Sequence, residues 1–286
     1  MALSLKKLAG LTGEVGHCNC NAAGNCLNMS MCAFTTGVDA FTVLAWNPLA
    51  QASTSLLRLP VSGLAWEVTA LRGGPDDARS DAAVPHQVTA MDARTLSLPL
   101  LYLNHFGLSK AQDTEAKRQL ANNATHIISF QAPLPPVGFA SFHVRKVLRP
   151  SPTTTEITAS AEEGARQTVS NGVYNVTYNQ AAGAIESVTN IASGVTAALN
   201  LSWGYYVSSE GGATKLPNGK EEISLQSSGA YIFRPKYQET FRTAWKQPKL
   251  TVVAGPLVTG LRQEFSEYAT HVIRLIKGSS FIEVEV

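Results

Sequence analysis

A chain of 286 residues, 44% hydrophobic and 15% charged, carries enough apolar surface for one large or two ordinary domains and is too apolar to be disordered. Its formal charge of +2 comes from Lys and Arg scattered singly, as at Arg58, Arg72, Arg149 and Arg242, and the absence of a basic stripe argues against a nucleic-acid partner. No apolar run reaches the roughly 18 residues of a membrane helix, and Met1-Ala2-Leu3-Ser4-Leu5-Lys6-Lys7-Leu8 leads into no long apolar region of a secretory signal, so neither a membrane nor a leader is expected.

In chain order, Leu5, Leu8 and Leu11 lie at i, i+3 and i+6 before Gly13 and Gly16, which predicts the tail of a helix over Leu3 to Val15. All four cysteines follow, at Cys18, Cys20, Cys26 and Cys32. With His17 they could be drawn as a zinc site, but one gap of one residue and two of five do not match paired Cys-x2-Cys ligands. Disulfides are the favoured reading, with three pairings open.

From Cys32 the pattern changes to short β-rich runs between turn residues. Phe41 to Trp46, Ser55 to Val61 and Ala65 to Leu71 are each closed by Asn-Pro, Ser-Gly or Gly-Gly-Pro, and this spacing reads as a sandwich or barrel. Ser109 to Leu120 is the one helix-like interruption, with Ser109 and Gln112 at capping-box spacing; a solvated loop also fits. Thr125 to Ala132 and Phe139 to Leu148 then flank Leu134-Pro135-Pro136-Val137-Gly138, whose prolines exclude a continuous ladder.

Arg149-Pro150-Ser151-Pro152 and the Thr- and Glu-rich residues after it read as a linker. Beyond it Tyr174, Val176 and Tyr178 alternate with Asn175, Thr177 and Asn179, the pattern of a strand with one apolar and one polar face. Ala181-Ala182-Gly183-Ala184 is expected to turn this strand back into Ile185 to Val188. Phe281 to Val286 also alternates, and a strand that stops without a turn predicts that more chain follows it.

The organisation expected is therefore mainly β: two successive antiparallel β-sandwich domains, the second truncated, preceded by a short helical tail. The boundaries are 1–32 for the tail and Cys-rich connector, 33–150 for a central sandwich, 151–168 for the linker and 169–286 for the second sandwich.

Candidate chemistry is sparse. Asn-x-Ser/Thr sequons occur at Asn28, Asn123, Asn175 and Asn200, which with the cysteines suits a lumenal protein. Asp76-Asp77, Glu162-Glu163 and Glu221-Glu222 sit in turn or linker composition, and Glu283 and Glu285 share a strand face, so none reads as a catalytic pair. His86, His105, His126, His143 and His271 are isolated beside apolar runs and read as surface or satisfied strand histidines. No phosphate-cradling loop or nucleophile elbow is present.

Ser228-Gly229-Ala230-Tyr231-Ile232-Phe233-Arg234-Pro235 is the most informative segment. It resembles the SGAYIFRP element of the lysosomal-type α-mannosidases, glycoside hydrolase family 38. Cys26-Leu27-Asn28-Met29-Ser30-Met31-Cys32 is similar to the family's Leu-Asn-Ile-Ser-x-Cys, Trp46-Asn47-Pro48-Leu49 to its Tyr-Asn-Pro-Leu, and Pro135-Pro136-Val137-Gly138-Phe139 to its Pro-Pro-Leu-Gly-Phe. Asn171-Gly172-Val173-Tyr174 with Gly183 resembles the opening of its large C-terminal β-domain, and Gly255-Pro256-Leu257-Val258 through Arg274-Leu275 a strand pair deeper in it. The order matches, and the similarity runs from about residue 26 to the end.

The resemblance implies a fragment of an enzyme that hydrolyses terminal α-D-mannosides of glycans with retention, located in a lysosome, vacuole or secretory lumen. Its nucleophile and zinc ligands would lie in an N-terminal catalytic domain not found in this chain, so no cofactor, no catalytic residue and no activity are expected of the chain alone. Tyr231 matches a tyrosine that reaches the substrate in the family, since a phenol can stack on a sugar and donate a hydrogen bond; the competing expectation is a half-buried strand aromatic. Arg234 is expected to pair structurally. The resemblance also implies a disulfide closing onto Cys32, with Cys20 and Cys26 both candidates for its partner. The alternative is a non-catalytic carbohydrate-binding or scaffold protein that stacks sugar on Trp203, Tyr205, Tyr206 and Tyr231.

Overall fold

The structure, a computed structural model, describes residues 10, 13, 15, 32, 34–71, 82–96, 124–149, 155–157, 166–215, 218, 221–225, 227–229, 231–236, 242–244, 247–266 and 269–286. The expected helical tail apart from Gly10, Gly13 and Val15, the Ser109 to Leu120 segment, Cys18, Cys20, Cys26, Asn28 and Asn123 lie outside these residues. The described chain is built mostly of antiparallel strands, with a single helical turn at 93–96 capped by Asp92, whose carboxylate accepts from the Arg94 and Thr95 amides. The mainly β fold expected from the alternating runs is the fold observed.

Two compact units divide the chain, 1–156 with 254–259 and 157–253 with 260–286. In the first, β1 (Ala40–Asn47), β2 (Ser53–Val61), β3 (Trp66–Leu71), β4 (Ala82–Ala83), β5 (His86–Ala90), β6 (His126–Leu134) and β7 (Gly138–Lys146) form two sheets, ordered β1-β7-β3-β4 and β2-β6-β5. Their buried faces meet in one core in which Val61, Trp66, Val68, Val88, Ile128, Phe130, Phe142 and Val144 are nearly inaccessible. The Phe130 and Phe142 rings, from β6 and β7, lie 5.1 Å apart and tilted, joining the two sheets.

Asn47 explains why two separated motifs sit together. Its side chain is buried, donates from Nδ2 to the carbonyls of Gln51 at 2.8 Å and Pro135 at 2.9 Å, and accepts the Leu49 amide at 3.0 Å. Val137 N donates to Leu49 O at 2.8 Å in the same place. The Trp46-Asn47-Pro48-Leu49 and Pro135-Pro136-Val137-Gly138 turns are thus one structure, and the prolines end β6 at Leu134 as their lost donors require.

The short β8 (Thr155–Ile157) contains the division between the units. Unit two holds β9 (Arg166–Ser170), β10 (Tyr174–Asn179), β11 (Ala184–Asn190) and β12 (Thr196–Ala198) in a sheet ordered β12-β11-β10-β9. Two small ribbons follow: β13 (Trp203–Tyr205) with β16 (Arg242–Ala244), and β14 (Gly212–Lys215) with β15 (Glu221–Leu225). β17 (Lys249–Ala254), β18 (Val258–Glu264), β19 (Thr270–Ile276) and β20 (Glu283–Glu285) complete a sheet ordered β20-β19-β18-β17-β8.

Val176, Tyr178 and Ile185 from the first sheet and Leu250, Val252, Leu261, Ile273 and Leu275 from the other form the second core. The alternation read from Tyr174 to Asn179 is realised, since Val176 and Tyr178 are buried and the polar residues are not. The β10–β11 turn is equally close to expectation. Gly183 has φ +66°, and a Cβ there would lie 1.8 Å from Pro248 O, so only glycine fits.

Candidate functional site

The Ser228–Pro235 segment is a tight hairpin. Gly229 and Ile232 exchange backbone hydrogen bonds at 3.0 and 3.3 Å, which puts Tyr231 at the tip of the turn between them. Ser228 Oγ accepts the Arg234 amide at 2.8 Å and donates to the Arg234 carbonyl. Three backbone bonds then fix the hairpin to residues 207–209: Ser209 N to Arg234 O, Ser228 N to Ser209 O, and Lys236 N to Val207 O. Lys236 Nζ adds an ion pair with Glu210 at 3.0 Å.

This geometry bears on one of the two expectations for Tyr231. Its side chain is 100% exposed at the hairpin tip, so it is not a half-buried strand aromatic. Phe233, two residues on, is exposed and meets the Tyr206 ring edge-on at 5.2 Å. Tyr206, Ser208, Tyr231, Phe233 and Arg234 border an open hollow of about 470 Å³. The arrangement offers aromatic faces, a phenol and a guanidinium to a polar ligand with an apolar face, as a sugar has. Arg234, expected to pair structurally, instead uses its backbone, and its side chain is exposed without an ion pair among the described residues. Phe233 belongs to the aromatic group although it was not among the expected stacking residues; its place two residues from the turn is the signal that finds it.

Other expected residues are not brought to this site. Trp203 is turned inward, with its indole nitrogen buried, and cannot stack on an external sugar; Tyr205 is exposed. Glu283 and Glu285 both pair with Arg274, at 3.1 and 2.5 Å, so they form an ion-pair ladder along β20 and not an acid–base couple. Asn175 is half-buried on the polar face of β10, level with Ser170 and Thr189 on its neighbours. Asn200 is exposed. Cys32 is buried, and its carbonyl accepts from the Thr35 and Thr36 amides.

The histidines divide into two kinds. His86 places Nδ1 2.9 Å from Val84 O and Nε2 2.8 Å from Trp66 O, as a satisfied strand histidine does. His271 departs from that expectation: it is buried, its Nδ1 has no hydrogen-bond partner among the described residues, and burial pushes its pKa below the ordinary 6.5. Burial likewise lowers His126 and raises the Tyr178 phenol. Among the described residues no group of three or more His, Cys, Asp or Glu is placed to hold a metal ion. These described residues do not fit a zinc site.

Residues 169–286 match the Glycosyl hydrolases family 38 C-terminal domain. The chain is 24% identical to an "Alpha-mannosidase" of Canavalia ensiformis, over 99% of its own length and 27% of the relative's. It is 25% identical to the "Lysosomal alpha-mannosidase" of Homo sapiens, over 91% of its own length and 22% of the relative's. The chain thus spans about a quarter of the length of these relatives. The exposed Tyr231 hairpin lies inside the matched domain. The chain accordingly resembles the α-mannosidases of glycoside hydrolase family 38 over most of its length at low identity, and its residues 169–286 match the model of that family's C-terminal domain.

Proposed function

We propose that this chain supplies the β-domains of an α-mannosidase that cleaves terminal α-D-mannosides of glycans, and that Tyr231 reaches the substrate from the hairpin tip. The observation that carries the reading is the position of Tyr231: a large aromatic, wholly solvated, held by a hairpin whose own hydrogen bonds do not involve its side chain. The nucleophile and the zinc that the resemblance implies would come from an N-terminal catalytic domain, as partner to this chain. Tyr231 would stack on the sugar and donate its phenol proton to a sugar oxygen, orienting a bond that other residues break.

The test joins this chain to a family 38 N-terminal domain and compares Tyr231→Phe and Tyr231→Ala on a chromogenic α-mannoside. Losing both stacking and the hydrogen bond lowers kcat/KM by roughly ten- to a hundredfold, and losing the hydroxyl alone by less. Unchanged kinetics in both variants would remove Tyr231 from the site. The isolated chain should not turn over the substrate; zinc-dependent turnover by the purified chain would overturn the division of labour.

A second reading has its own support in the exposed Tyr206–Phe233 pair: a carbohydrate-binding or scaffold protein without catalysis. Saturable binding of mannose oligosaccharides by the isolated chain, lost on Phe233→Ala, would favour it.

We further propose a lysosomal, vacuolar or secretory lumenal location. The exposure of Asn200 supports glycosylation there, and Asn175 is a poorer acceptor once the sheet has formed. Cys32 is buried and not free, which supports a disulfide to one of Cys18, Cys20 or Cys26. Thiol labelling of the native protein at all four cysteines would contradict this.

A further inference from the structure

Edge strands in the second unit differ in one respect that bears on how the molecule stays soluble. β9 opens on Arg166, which pairs with Glu186 at 2.6 Å, and β20 holds Glu283 and Glu285 against Arg274. Charge at an edge discourages a foreign strand from adding to it, because pairing would desolvate the ion. β12 ends the first sheet on the side away from β9, and its residues Thr196, Ala197 and Ala198 are all exposed. It carries no charge, and neither does any residue from Ser187 to Ser209.

The register of β12 on β11 fixes which groups face outward. Asn190 N donates to Val195 O at 2.9 Å and Leu199 N to Glu186 O at 2.7 Å, so Val195, Ala197 and Leu199 turn their backbone groups toward β11. By the alternation of an antiparallel pair, Thr196 and Ala198 turn theirs to the open edge. Val188 packs into the second core and faces Ala197 across the pair, which puts Thr196 and Ala198 on the other, solvent face. Thr196 Oγ1 there lies 2.8 Å from Thr189 Oγ1. Ile191 and Val195, just before the strand, are 45% and 65% exposed. Outward backbone groups, exposed apolar side chains and a long uncharged sequence together make a template for a strand from another chain.

The same uncharged stretch holds one glycosylation signal, Asn200-Leu201-Ser202, with Asn200 and Ser202 both exposed. Asn200 stands two residues past the end of β12, about 7 Å along the chain. We propose that an N-linked glycan on Asn200 covers the β12 edge and takes the place that charged side chains hold on β9 and β20. A strand adding to β12 would have to lie about 4.8 Å from it along its length, and a bulky, hydrated oligosaccharide rooted at its end obstructs that approach. The Asn175 signal cannot serve this purpose, because β10 is flanked on both sides by β9 and β11. The proposal rests on the lumenal location inferred above. That location is tested by thiol labelling, which does not involve Asn200, so the two can fail separately.

The experiment secretes the full 286-residue chain from a eukaryotic host behind an added leader. Glycopeptide masses should show Asn200 occupied. Trimming the folded protein to its first sugars with an endoglycosidase should lower the concentration at which light scattering detects self-association, by about tenfold or more. Ser202→Ala abolishes the signal, keeps Asn200 and should act in the same way. Adding Ala198→Lys to it puts a charge on the open edge and should restore the higher limit. In the associated form the outward amides of Thr196 and Ala198 should become protected from hydrogen exchange. An unoccupied Asn200, a trimmed protein that associates no sooner, unchanged exchange at those two amides, or no rescue by Ala198→Lys would each overturn the proposal. Trimming acts on protein that is already folded, so it decides the matter even where a variant does not fold.

Discussion

The turn at Asn171 and the hairpin at Ser228 use the same device, a polar side chain that binds the backbone it helps to fold, but they use it for opposite ends. Asn171 is 5% exposed and makes four such bonds: Oδ1 accepts the Val173 and Tyr174 amides at 2.9 and 2.7 Å, and Nδ2 donates to Ile276 O and Ser279 O, both at 3.0 Å. Ser228 makes two, both to the backbone of Arg234, and the residues around it face solvent. At Asn171 every group is consumed by the fold. At Ser228 the fold consumes the backbone and leaves Tyr231, Phe233 and Arg234 for something else. A motif recognisable by family likeness can therefore mark a structural joint or a working surface, and burial tells which.

The comparison breaks hardest on the buried side, where nothing can yield. Gly183→Ala must drive a methyl into Pro248 O at a backbone angle that disfavours side chains, and about 4 kcal/mol or more should be lost in urea unfolding of the second unit. Asn171→Ala strands two amides and two carbonyls, so about 3 kcal/mol is expected. Asn171→Asp should be no better, because the carboxylate keeps the acceptors but loses both donors and buries a charge. Asn47→Ala should cost the first unit slightly less, about 2–3 kcal/mol, for three lost bonds.

Acid sharpens the contrast further. The folded pKa values of His126 and His271 are both depressed by burial, while the unfolded chain takes up its protons near the ordinary 6.5. Their contribution to stability is therefore present above about pH 6.5 and is lost as pH falls through the folded values. Urea midpoints between pH 7.5 and 5 should fall, and His271→Phe should flatten part of that slope. On the exposed side the effects shrink. Ser228→Ala should cost about 1 kcal/mol or less, the value of hydrogen bonds that water can replace. Tyr231→Ala should leave stability within about 0.5 kcal/mol, and a larger change would mean that the tip packs against something.

Much of the strand architecture is legible from residues alone. The Tyr174–Asn179 alternation, the Gly183 turn and the apolar runs of β1, β2, β3, β6 and β7 reflect period-two burial that survives folding. β5 escapes this reading because its buried positions include Gln87, a polar residue in a core slot. β9 escapes because Val169 is its one strongly apolar residue, so it reads as linker. The three-residue β13 and β16 are too short to show any period. Tyr231 was legible in type but not in place, since Ala230 and Ile232 imitate a strand and only Gly229 hints at the turn. The placing of His271 between two rings depends on Trp203, which lies far from Phe265 and His271 in sequence, so no local pattern encodes it.

The pairing of β1 with β7 carries a cost in time. Ala40 finds Arg145 and Ser53 finds Leu134, so β1 and β2 must close long loops before their sheet bonds form, in contrast to the local β3–β4 pairing of Thr69 with Ala83. On a ribosome adding roughly 5–20 residues per second, β1 waits on the order of ten seconds for its partner. During that interval its apolar face and open edge are available to other nascent chains. Slow refolding with concentration-dependent losses is the expected behaviour of this unit, and a chaperone acting during synthesis would raise the yield of folded protein.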